Sequence, residues 1–537
     1  MTMAEYLSTP AWSELVVEPV YGRPTQVWRE RPRQVLDLLQ LAAAASADQD
    51  LLVQGSRRIS FGAFRDALDR GAAELSKLGV ASGDKVLIVL YNSAEFLLAQ
   101  WSVWRVGAVP VLGNRWWNER DMAGVIKSVR PSLIVTDMAL TDALAGPAKR
   151  ITPDTLSTWW TLPRPATAAP GHRDEIDEDD VALMVFTAGS TGAPKGVQLS
   201  HRNLVWTQQT VHIMRGGRPA AAASSAQQKV ALMTTPMFHN GAVVAGLTAL
   251  IDGNRMVMLE GKFNPEEVLK LITRERVASW SAVPTMISRV LQHPNFSAYD
   301  LSSLIAPATG GTMVPAPLLD AVQAKIPHAT RGFSVGYGMT EMSFLTMAMA
   351  AQIAQKPGTV GKPIPGIELK IDQPDASGEG ELLGRSGALM VGYFDSDEQP
   401  IDAQGWYHTG DLGRIDVEGF VYITGRSKDM VIRGGENIAC PHVESALLAH
   451  GDVLEVAVIG VPDEEFGEAV AAVLYTRPGS GLSEQDLRTF AKGKLAYFEV
   501  PSHWWFRSEP LPVLPTGKID KRALSRDFAA AAARPGV

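Results

Sequence analysis

The sequence lacks most of the features that mark specialised classes of protein. Cys440 is the only cysteine among 537 residues, so no disulfide forms within the chain and no cysteine-based metal site can be built. No partner that would activate its thiol is evident, so we interpret Cys440 as structural. The longest apolar runs fall well short of the ~20 residues that span a bilayer. The first residues also lack the basic start and apolar stretch of a secretory signal. We therefore expect a cytoplasmic protein without membrane insertion.

Positive charge is also scarce. The chain has 50 Lys and Arg against 58 Asp and Glu, a formal net charge of −8, which gives no general attraction for nucleic acid. A phosphate-bearing ligand would therefore have to be bound by local basic residues and backbone amides. The apolar fraction of 46% and the charged fraction of 20% are those of a globular protein. A chain of 537 residues exceeds one ordinary hydrophobic core, which predicts two or more domains.

Helix-like and strand-like patterns alternate through most of the chain. Apolar residues at helical spacing predict helices over 61–78 and 93–105, and short apolar runs predict strands over 85–90, 107–112 and 133–136. Strands that are apolar on both faces and alternate with helices indicate a layered α/β fold.

A separate pattern of elements begins near residue 427. The predicted helices and strands of this part lie at 441–447, 456–460, 469–475 and 483–494. We place a domain boundary near 426–428, which gives a large domain of residues 1–426 and a small domain of residues 427–537.

A glycine-rich loop follows a short apolar strand predicted over 181–186, which itself follows a proline- and acid-rich connection at 163–180. Residues 187–196 read Thr-Ala-Gly-Ser-Thr-Gly-Ala-Pro-Lys-Gly. Glycines let the backbone approach a ligand closely, exposed N–H groups form an anion nest, and hydroxyls and a lysine add donors, all of which suits polyphosphate. Lys195 is followed by Gly196 rather than Ser or Thr, so this is not the Walker pattern. The alternative interpretation is a plain surface loop.

This loop resembles the phosphate loop of the adenylate-forming superfamily, which includes acyl-CoA synthetases, peptide-synthetase adenylation domains and luciferases. The resemblance implies a large layered N-terminal domain of α/β subdomains and a small mobile C-terminal α+β domain. It also implies ATP, Mg²⁺ and coenzyme A as ligands. It assigns nucleotide binding to five residues of the loop: Thr187, Ser190, Thr191, Gly192 and Lys195. It also implies a catalytic role for Thr187.

Residues 336–341, Gly-Tyr-Gly-Met-Thr-Glu, resemble the superfamily's adenine and metal motif. The resemblance implies that Tyr337 stacks on adenine, with Gly338 in the same nucleotide site, that Thr340 contacts phosphate, and that Glu341 holds Mg²⁺ and serves catalysis. An aromatic face suits a purine, and a hard cation takes carboxylate and phosphate oxygens. The alternative is a turn after a strand that carries an ordinary acidic residue.

Two further segments resemble the ribose site and the domain junction. In Tyr-His-Thr-Gly-Asp at 407–411, Asp411 would accept both ribose hydroxyls, since a carboxylate is a natural double acceptor for a diol. In the segment 425–429, Arg426 would contact the ribose or phosphate and Lys428 occupies the hinge position. For Arg426 and Lys428 the alternative is an ordinary exposed charge.

Residues 515–519, Pro-Thr-Gly-Lys-Ile, resemble the loop that carries the superfamily's catalytic lysine. Adenylation brings a carboxylate to the α-phosphate, so a cation is needed where the two anions meet, and Lys518 would supply it. His239 resembles the histidine beside the acyl site, where it would orient the carboxylate or gate the pocket. The alternatives are a solvated surface lysine and a satisfied structural histidine.

Two glycine pairs complete the resemblance. Gly310 and Gly311 resemble the segment between the adenine and the acyl tunnel, and Gly434 and Gly435 resemble the small-domain turn along the pantetheine channel. The sequence Asn-Ile-Ala-Cys-Pro at 437–441 departs from the superfamily's frequent Asn-Ile-Tyr-Pro, which affects only local contacts.

Together these features predict an AMP-forming carboxylic acid–CoA ligase that acts on a hydrophobic acid through an acyl-adenylate. The acyl pocket is expected to draw on four stretches of small and apolar residues without an evident buried charge: 238–246, 280–286, 309–311 and 335–338. The small residues suggest room for a medium- or long-chain fatty acid. An aryl-alkanoic or steroid-like alicyclic acid is the alternative, and an amino acid is disfavoured because nothing would pair with its ammonium.

Coenzyme A is the favoured acceptor, because the chain stops shortly after Leu524 without a carrier domain and the short segment 341–361 leaves no evident insertion typical of fatty-acyl-AMP ligases. A stand-alone enzyme that charges a separate carrier protein stays open, and the patterns do not exclude a luciferase-like oxygenase. A non-catalytic sensor of nucleotide or acyl-adenylate belongs to a different class, and the presence of Lys518, Glu341 and Asp411 weighs against it. The expected partners are a small carboxylic acid and CoA, with a homodimer as the common state in the superfamily.

Overall fold

The computed structural model describes residues 10–43, 47–140, 146, 148–165, 176–188, 194–214, 228–427 and 429–532. Four of the predicted site residues lie outside these described ranges: Ser190, Thr191, Gly192 and Lys428.

Strands make up the frame of both domains. In chain order they are β1 Leu15–Val20, β2 Arg23–Trp28, β3 Asp50–Gln54, β4 Arg57–Ser60, β5 Lys85–Val89, β6 Val109–Leu112, β7 Leu133–Thr136, β8 Lys149–Ile151, β9 Val181–Ala188, β10 Pro194–Ser200, β11 Val230–Met233, β12 Arg255–Met258, β13 Ser279–Ala282, β14 Ala306–Gly310, β15 Ser334–Met339, β16 Ser343–Met349, β17 Lys362–Pro363, β18 Glu368–Asp372, β19 Gly380–Arg385, β20 Gly392–Phe394, β21 Tyr407–Ile415, β22 Val421–Arg426, β23 Met430–Arg433, β24 Glu436–Ala439, β25 Val453–Asp463, β26 Gly467–Thr476 and β27 His503–Arg507.

Helices cover the faces of the sheets. The α-helices of the described residues are α1 Val35–Ala43, α2 Phe61–Lys77, α3 Ala94–Arg105, α4 Glu119–Val129, α5 Pro153–Trp159, α6 His201–Met214, α7 Asn240–Ile251, α8 Pro265–Glu275, α9 Pro284–Leu291, α10 Ala316–Lys325, α11 Ala350–Gln355, α12 Cys440–Leu448, α13 Glu484–Lys492 and α14 Lys521–Ala532. None of them is both long and apolar enough to cross a membrane.

The large domain is built on two mixed sheets. One has the strand order β20-β10-β9-β6-β5-β7-β8, and the other has the order β17-β16-β15-β14-β13-β11-β12-β3-β4. The central strands of each sheet run parallel, and antiparallel strands are added at one edge of the first sheet and at both edges of the second. A four-stranded antiparallel sheet, β18-β19-β21-β22, follows them. This is the layered α/β architecture that the alternating pattern predicts.

The predicted elements agree with the structure to within a few residues because their ends carry local signals. The side chain of Ser60 accepts a hydrogen bond from the N–H of Ala63 and caps α2, and Gly79, with φ of +88°, follows the end of the helix. Ser93 caps α3 in the same way. The predicted strand at 181–186 extends two residues further as β9, because β10 pairs with it as far as Ala188.

The small domain has its own sheet and its own apolar clusters. Its strands have the order β24-β23-β26-β25, and β27 pairs parallel to β26. Helices α12 and α13 pack against this sheet around Val443, Leu447 and Leu487, each fully buried. The change of sheet falls between Arg426, the last residue of β22, and Met430, the first of β23. The boundary at 426–427 stays a prediction that agrees with this change.

A buried ion-pair network joins the N-terminal segment of the large domain to the loop before β9. Both carboxylate oxygens of Glu178 accept hydrogen bonds from Arg31, at 2.8 and 2.9 Å, and Arg202 lies 2.9 Å from the same carboxylate. Arg33 also pairs with it. The side chain of Arg31 is 1% exposed, so its charge depends on these partners.

We expect Glu178→Ala to destabilise the large domain by up to about 3–5 kcal/mol, because the buried Arg31 and Arg202 would lose the carboxylate that they share and keep only Glu18 and Asp179 as acidic partners. Glu14→Ala is the matched control, since the Glu14–Arg29 pair at 2.7 Å is half exposed on both sides, so that water screens it and its loss should have little effect. Urea unfolding followed by tryptophan fluorescence measures both. Equal effects of the two substitutions would contradict a structural role for the network.

Candidate active site

Several predicted site residues of the large domain come from one edge of the nine-stranded sheet. Strands β11, β14 and β15 run parallel, so their carboxyl ends lie at the same edge. His239 follows β11, Gly311 follows β14, and Glu341 follows β15. Gly311 has a φ of +79°, a conformation that favours glycine.

Asp411 is held between two other predicted nucleotide-site residues. One carboxylate oxygen accepts a hydrogen bond from Arg426 Nε at 2.6 Å, and the other accepts one from the hydroxyl of Tyr337, also at 2.6 Å. Asp411 is 2% exposed, so these donors compensate for the buried charge. The structure thus brings three predicted residues together, while adenine stacking by Tyr337 and ribose binding by Asp411 stay predictions.

Lys518 reaches this site from the small domain. A Cβ atom placed on Gly311 would lie 3.6 Å from Lys518 Cε and 3.8 Å from its Nζ. The pKa of Lys518 is lowered to about 8, first by burial and then by the positive charge of Arg426, while the charge of Asp411 opposes the shift. The structure therefore has the orientation in which the predicted catalytic lysine meets the predicted nucleotide site.

His239 is buried beside the same lysine. Burial and, to a smaller extent, the charge of Lys518 lower its pKa to about 3, so the imidazole is neutral at physiological pH. Within the described residues its Nε2 has no hydrogen-bond partner, and the same holds for the buried side-chain oxygens of Asn240 and Thr309. Buried polar atoms in a protein core are normally paired. These observations disfavour a satisfied structural histidine and fit a place that receives a ligand.

Glu341 is buried near Asp411 without a basic side chain bound to it in the described residues. Burial raises the pKa of its carboxyl, and a hydrogen bond of 2.9 Å from the hydroxyl of Tyr393 opposes the rise. A buried carboxylate of this kind fits Mg²⁺, whose charge would stabilise it. The described residues contain no group of three acidic, histidine or cysteine side chains that could hold a metal ion, so phosphate oxygens and water would supply the other ligands.

Sequence reasoning missed Tyr393. Its hydroxyl donates to Glu341 and lies 3.2 Å from the hydroxyl of Tyr407, and its ring lies 5.4 Å from Lys195 Nζ. Tyr393 therefore links the predicted metal residue to the predicted phosphate loop. No local pattern distinguishes it, because Glu341 is 52 residues away in the chain.

Other predicted residues lie in β9 and β10, in the turn after β15 and in a turn of the small domain. Lys195 pairs with Glu398 and lies opposite Thr187 in the β9–β10 register. Thr340 lies in the turn after β15, beside Glu341. Gly434 and Gly435 form an exposed turn between β23 and β24, where Gly434 N donates to the carbonyl of Phe466 at 2.8 Å. The structure does not bring this turn to Lys518.

A cavity of about 350 Å³ lies between the large domain and the loop that carries Lys518. Its wall is lined by Leu90, Tyr91, Asn92, Trp116, Thr234, Pro236, Phe238, Gly261, Lys262, Phe263, Thr285, Met286 and Arg289 of the large domain and by Val513, Leu514, Pro515 and Gly517 of the small domain. Two of the four stretches predicted for the acyl pocket contribute to it, through Phe238 and through Thr285 and Met286.

The expectation that the small residues of the site leave room is wrong at two positions. A Cβ atom on Gly336 would lie 2.6 Å from the ring of Phe344, and one on Gly310 would lie 2.3 Å from the carbonyl oxygen of Gly336. These glycines permit close packing and do not create space. Beside Gly241, in α7, a Cβ atom would meet nothing within 4 Å.

Comparison with known proteins agrees with this geometry. The sequence profile of the AMP-binding enzyme family matches residues 39–394, and the profile of the AMP-binding enzyme C-terminal domain matches residues 442–518. A 3-[(3aS,4S,7aS)-7a-methyl-1,5-dioxo-octahydro-1H-inden-4-yl]propanoyl:CoA ligase of Rhodococcus jostii is 31% identical over 93% of this chain and 99% of its own. The human mitochondrial medium-chain acyl-CoA ligase ACSF2 is 29% identical over 86% of this chain and 82% of its own.

A solved structure has the same arrangement of the chain. The o-succinylbenzoate CoA synthetase of Bacillus subtilis, in complex with the acyl-adenylate intermediate OSB-AMP, superposes with a TM-score of 0.78 at 27% identity. The match covers 91% of this chain and 97% of that one.

The pKa of Lys518 generates a prediction about pH. Because the charged lysine is present only below a pKa of about 8, we expect kcat/KM for ATP in pyrophosphate exchange to fall as pH rises through this value. Lys518→Arg should abolish the fall, since a guanidinium stays protonated there. His239, neutral throughout this range, adds no second limb. A decline that persists in Lys518→Arg would assign the titration to another group.

The contact of Tyr393 with Glu341 generates a second prediction. Tyr393→Phe should raise the Mg²⁺ concentration that gives half-maximal activity by about 10- to 100-fold, because an outer-shell hydrogen bond orients the ligating carboxylate. Tyr422→Phe is the matched control, as its hydroxyl makes only a 3.5 Å contact with Asp416. Titration of each variant with Mg²⁺ at saturating ATP measures the effect, and identical curves would remove Tyr393 from the metal site.

Proposed function

Since the chain belongs to the AMP-binding enzyme family and is an acyl-CoA synthetase, we propose that it joins a hydrophobic carboxylic acid to coenzyme A through an acyl-adenylate. The first candidate for the acid is a medium- or long-chain fatty acid. ATP and coenzyme A are the co-substrates of this reaction, and Mg²⁺ supplies charge neutralisation at the phosphates.

The observation that carries the proposal is the docking of Lys518 against Gly311, beside neutral His239. The acid's carboxylate attacks the α-phosphate of ATP, a bond forms between the carboxylate oxygen and that phosphorus, and pyrophosphate leaves. Negative charge gathers on the α-phosphate oxygens, where the Lys518 ammonium would stabilise it. A neutral imidazole suits a position next to the carboxylate, because its N–H can donate a hydrogen bond that orients the carboxylate without forming an ion pair.

The second step would transfer the acyl group to the coenzyme A thiol, with AMP as the leaving group. In the proposed scheme the small domain turns about Lys428, which withdraws Lys518 and brings the Gly434–Gly435 turn to the site. The exposure of that turn supports this proposal, because a surface that serves only the second step is free while Lys518 is docked.

The cavity wall supports an acid with an apolar body. Trp116, Phe238, Phe263 and Met286 contribute aromatic and aliphatic surface, and no carboxylate side chain lines the cavity. An ammonium group on the substrate would therefore find no partner there. The open space beside Gly241 in α7 adds room next to His239.

An alicyclic acid is the second candidate, favoured by the 31% identity to the ligase that acts on a fused-ring propanoate. Aromatic walls accept a flat ring system as readily as an alkyl chain, and apolar pockets discriminate by only about 1–3 kcal/mol per methylene. Transfer to a carrier protein instead of coenzyme A is the alternative for the acceptor.

Turnover of a panel of acids tests the proposal. Octanoate, dodecanoate, palmitate, a phenylalkanoate, a fused-ring propanoate and an amino acid are compared with and without coenzyme A, and AMP and thioester are measured by mass spectrometry. We expect thioester from the apolar acids, with the fatty acids best by kcat/KM, and none from the amino acid. Preference for the fused-ring acid would establish the second candidate. Pyrophosphate exchange without thioester would indicate a carrier protein.

A further inference from the structure

The two domains are joined by an ion pair that the reaction scheme does not use. Arg289, in the last turn of α9 of the large domain, donates from Nε to Glu455 Oε1 at 2.8 Å and from Nη2 to Oε2 at 3.1 Å. Glu455 lies in β25 of the small domain, and its side chain is 7% exposed. A buried carboxylate requires such a partner, because its charge is otherwise poorly solvated.

This pair also holds the chain that leads to Lys518. Arg289 Nη2 donates to the carbonyl of Leu511 at 2.9 Å, and Leu511 N donates to Glu455 Oε2 at 2.7 Å. Both backbone groups of Leu511 are therefore fixed by the same two side chains. Bidentate pairing of a guanidinium with a carboxylate fixes geometry as well as charge, so the start of the segment 511–518 is held in one position.

The segment from Leu511 to Lys518 is stiff, which lets a contact at one end position the other. Leu514 N donates to the carbonyl of Lys518 at 2.7 Å, and Gly517 N donates to the carbonyl of Leu514 at 2.8 Å. Val513 and Ile519 form an isolated bridge. Because these hydrogen bonds close the loop on itself, we expect it to move as a unit.

Helix α9 supports this loop at both ends. A Cβ atom on Gly517 would lie 2.8 Å from Val283 Cγ2 and from Met286 Cε, so the glycine packs directly on the first turn of α9. Gly517 also has a φ of +81°, which favours glycine. The last turn of the same helix carries Arg289. One short helix thus fixes the distance between the ion pair and the catalytic lysine.

We propose that Arg289 and Glu455 are positioning residues that dock the loop of Lys518 and so favour the adenylation step over the thioester step. The inference rests on the proposed function in one respect, that the two steps use different orientations of the small domain. When the small domain turns, Glu455 leaves Arg289, and the pair no longer stabilises the docked state. The pair therefore sets the balance between the two orientations.

Half-reactions separate this role from a general loss of structure. Arg289→Ala and Glu455→Gln should each lower kcat of acid-dependent pyrophosphate exchange about tenfold or more, while KM for the acid stays within about twofold, since only the cation is displaced. Thioester formation from supplied acyl-adenylate and coenzyme A should stay at the wild-type rate or rise. Lys518→Ala gives the reference for a lost cation, and Lys270→Ala is the control, because it removes an exposed pair within α8.

The double variant shows whether the two residues act together. Arg289→Ala with Glu455→Gln should be slower by less than the product of the two single effects, because each substitution already breaks the pair and adds only the loss of its own contact with Leu511. Arg289 also lines the cavity, whereas Glu455 does not. An effect of Arg289→Ala alone, with a raised KM for coenzyme A, would overturn the proposal in favour of a direct contact with substrate. Equal losses in both half-reactions would overturn it in favour of a structural role.

A readout without substrate keeps this test apart from the test of the proposed function. Docked Lys518 is partly shielded, so labelling of its amine by an N-hydroxysuccinimide ester, followed by mass spectrometry, should be faster in Arg289→Ala and unchanged in Lys270→Ala. Arg289→Lys keeps the charge but cannot span both carboxylate oxygens and Leu511, so it should be intermediate, and it replaces Arg289→Ala if that variant does not fold. Unchanged labelling in folded variants would overturn the proposal even where the acid panel succeeds. Faster labelling would support it even where coenzyme A proves not to be the acceptor.

Discussion

The carboxylate of Asp411 is the point through which three parts of the large domain are held together. It accepts hydrogen bonds of 2.6 Å from both Arg426 and Tyr337 while only 2% of the residue is exposed. Without donors on both oxygens, a charge at this depth would cost several kcal/mol, on the order of 3–5. The partners lie in β22 and β15, so the interaction fastens the four-stranded sheet to the edge of the nine-stranded sheet. Arg426 is also the last residue of β22, which places the predicted domain boundary directly beside this interaction.

Two cations lie together in this site although the chain carries a net charge of −8. Lys518 and Arg426 are close enough for the charge of Arg426 to act on the lysine, and the carboxylate of Asp411 opposes this effect. Their repulsion lowers the pKa of Lys518 along with burial. A polyphosphate brought to this place would relieve the repulsion and restore the full charge of the lysine. An anion that binds at this site would therefore also raise the pKa of Lys518.

Sequence reasoning predicted elements correctly where the information is local. Helix α2 and strand β5 follow from periodicity, caps and glycine. Contiguous motifs led to Asp411, Lys518 and Glu341, whose roles stay predictions. It failed where partners are distant in the chain: Tyr393 is 52 residues from Glu341, and Arg289 is 166 residues from Glu455. No spacing rule links such pairs, because register and domain packing decide which side chains meet.

The glycines show a second limit of the same kind. The sequence shows only that a glycine has no Cβ atom. Which group occupies the space where that atom would lie depends on the fold. Beside Gly336 it is the ring of Phe344, which arrives from the neighbouring antiparallel strand β16, and beside Gly310 it is the backbone of β15. Beside Gly241 it is open space. The space beside each glycine therefore depends on its neighbours in the fold and could not be predicted from the sequence.

The loop that presents Lys518 also forms part of the cavity wall. Residues 513–517 form part of the cavity wall, and the same loop presents Lys518 to the nucleotide site. In the proposed scheme, a movement that withdraws the lysine would also remove this part of the cavity wall. The cation and this part of the wall would therefore be present in the same orientation of the small domain and would leave together. The position of Lys518 and the presence of this part of the wall would change together, because both belong to the same loop.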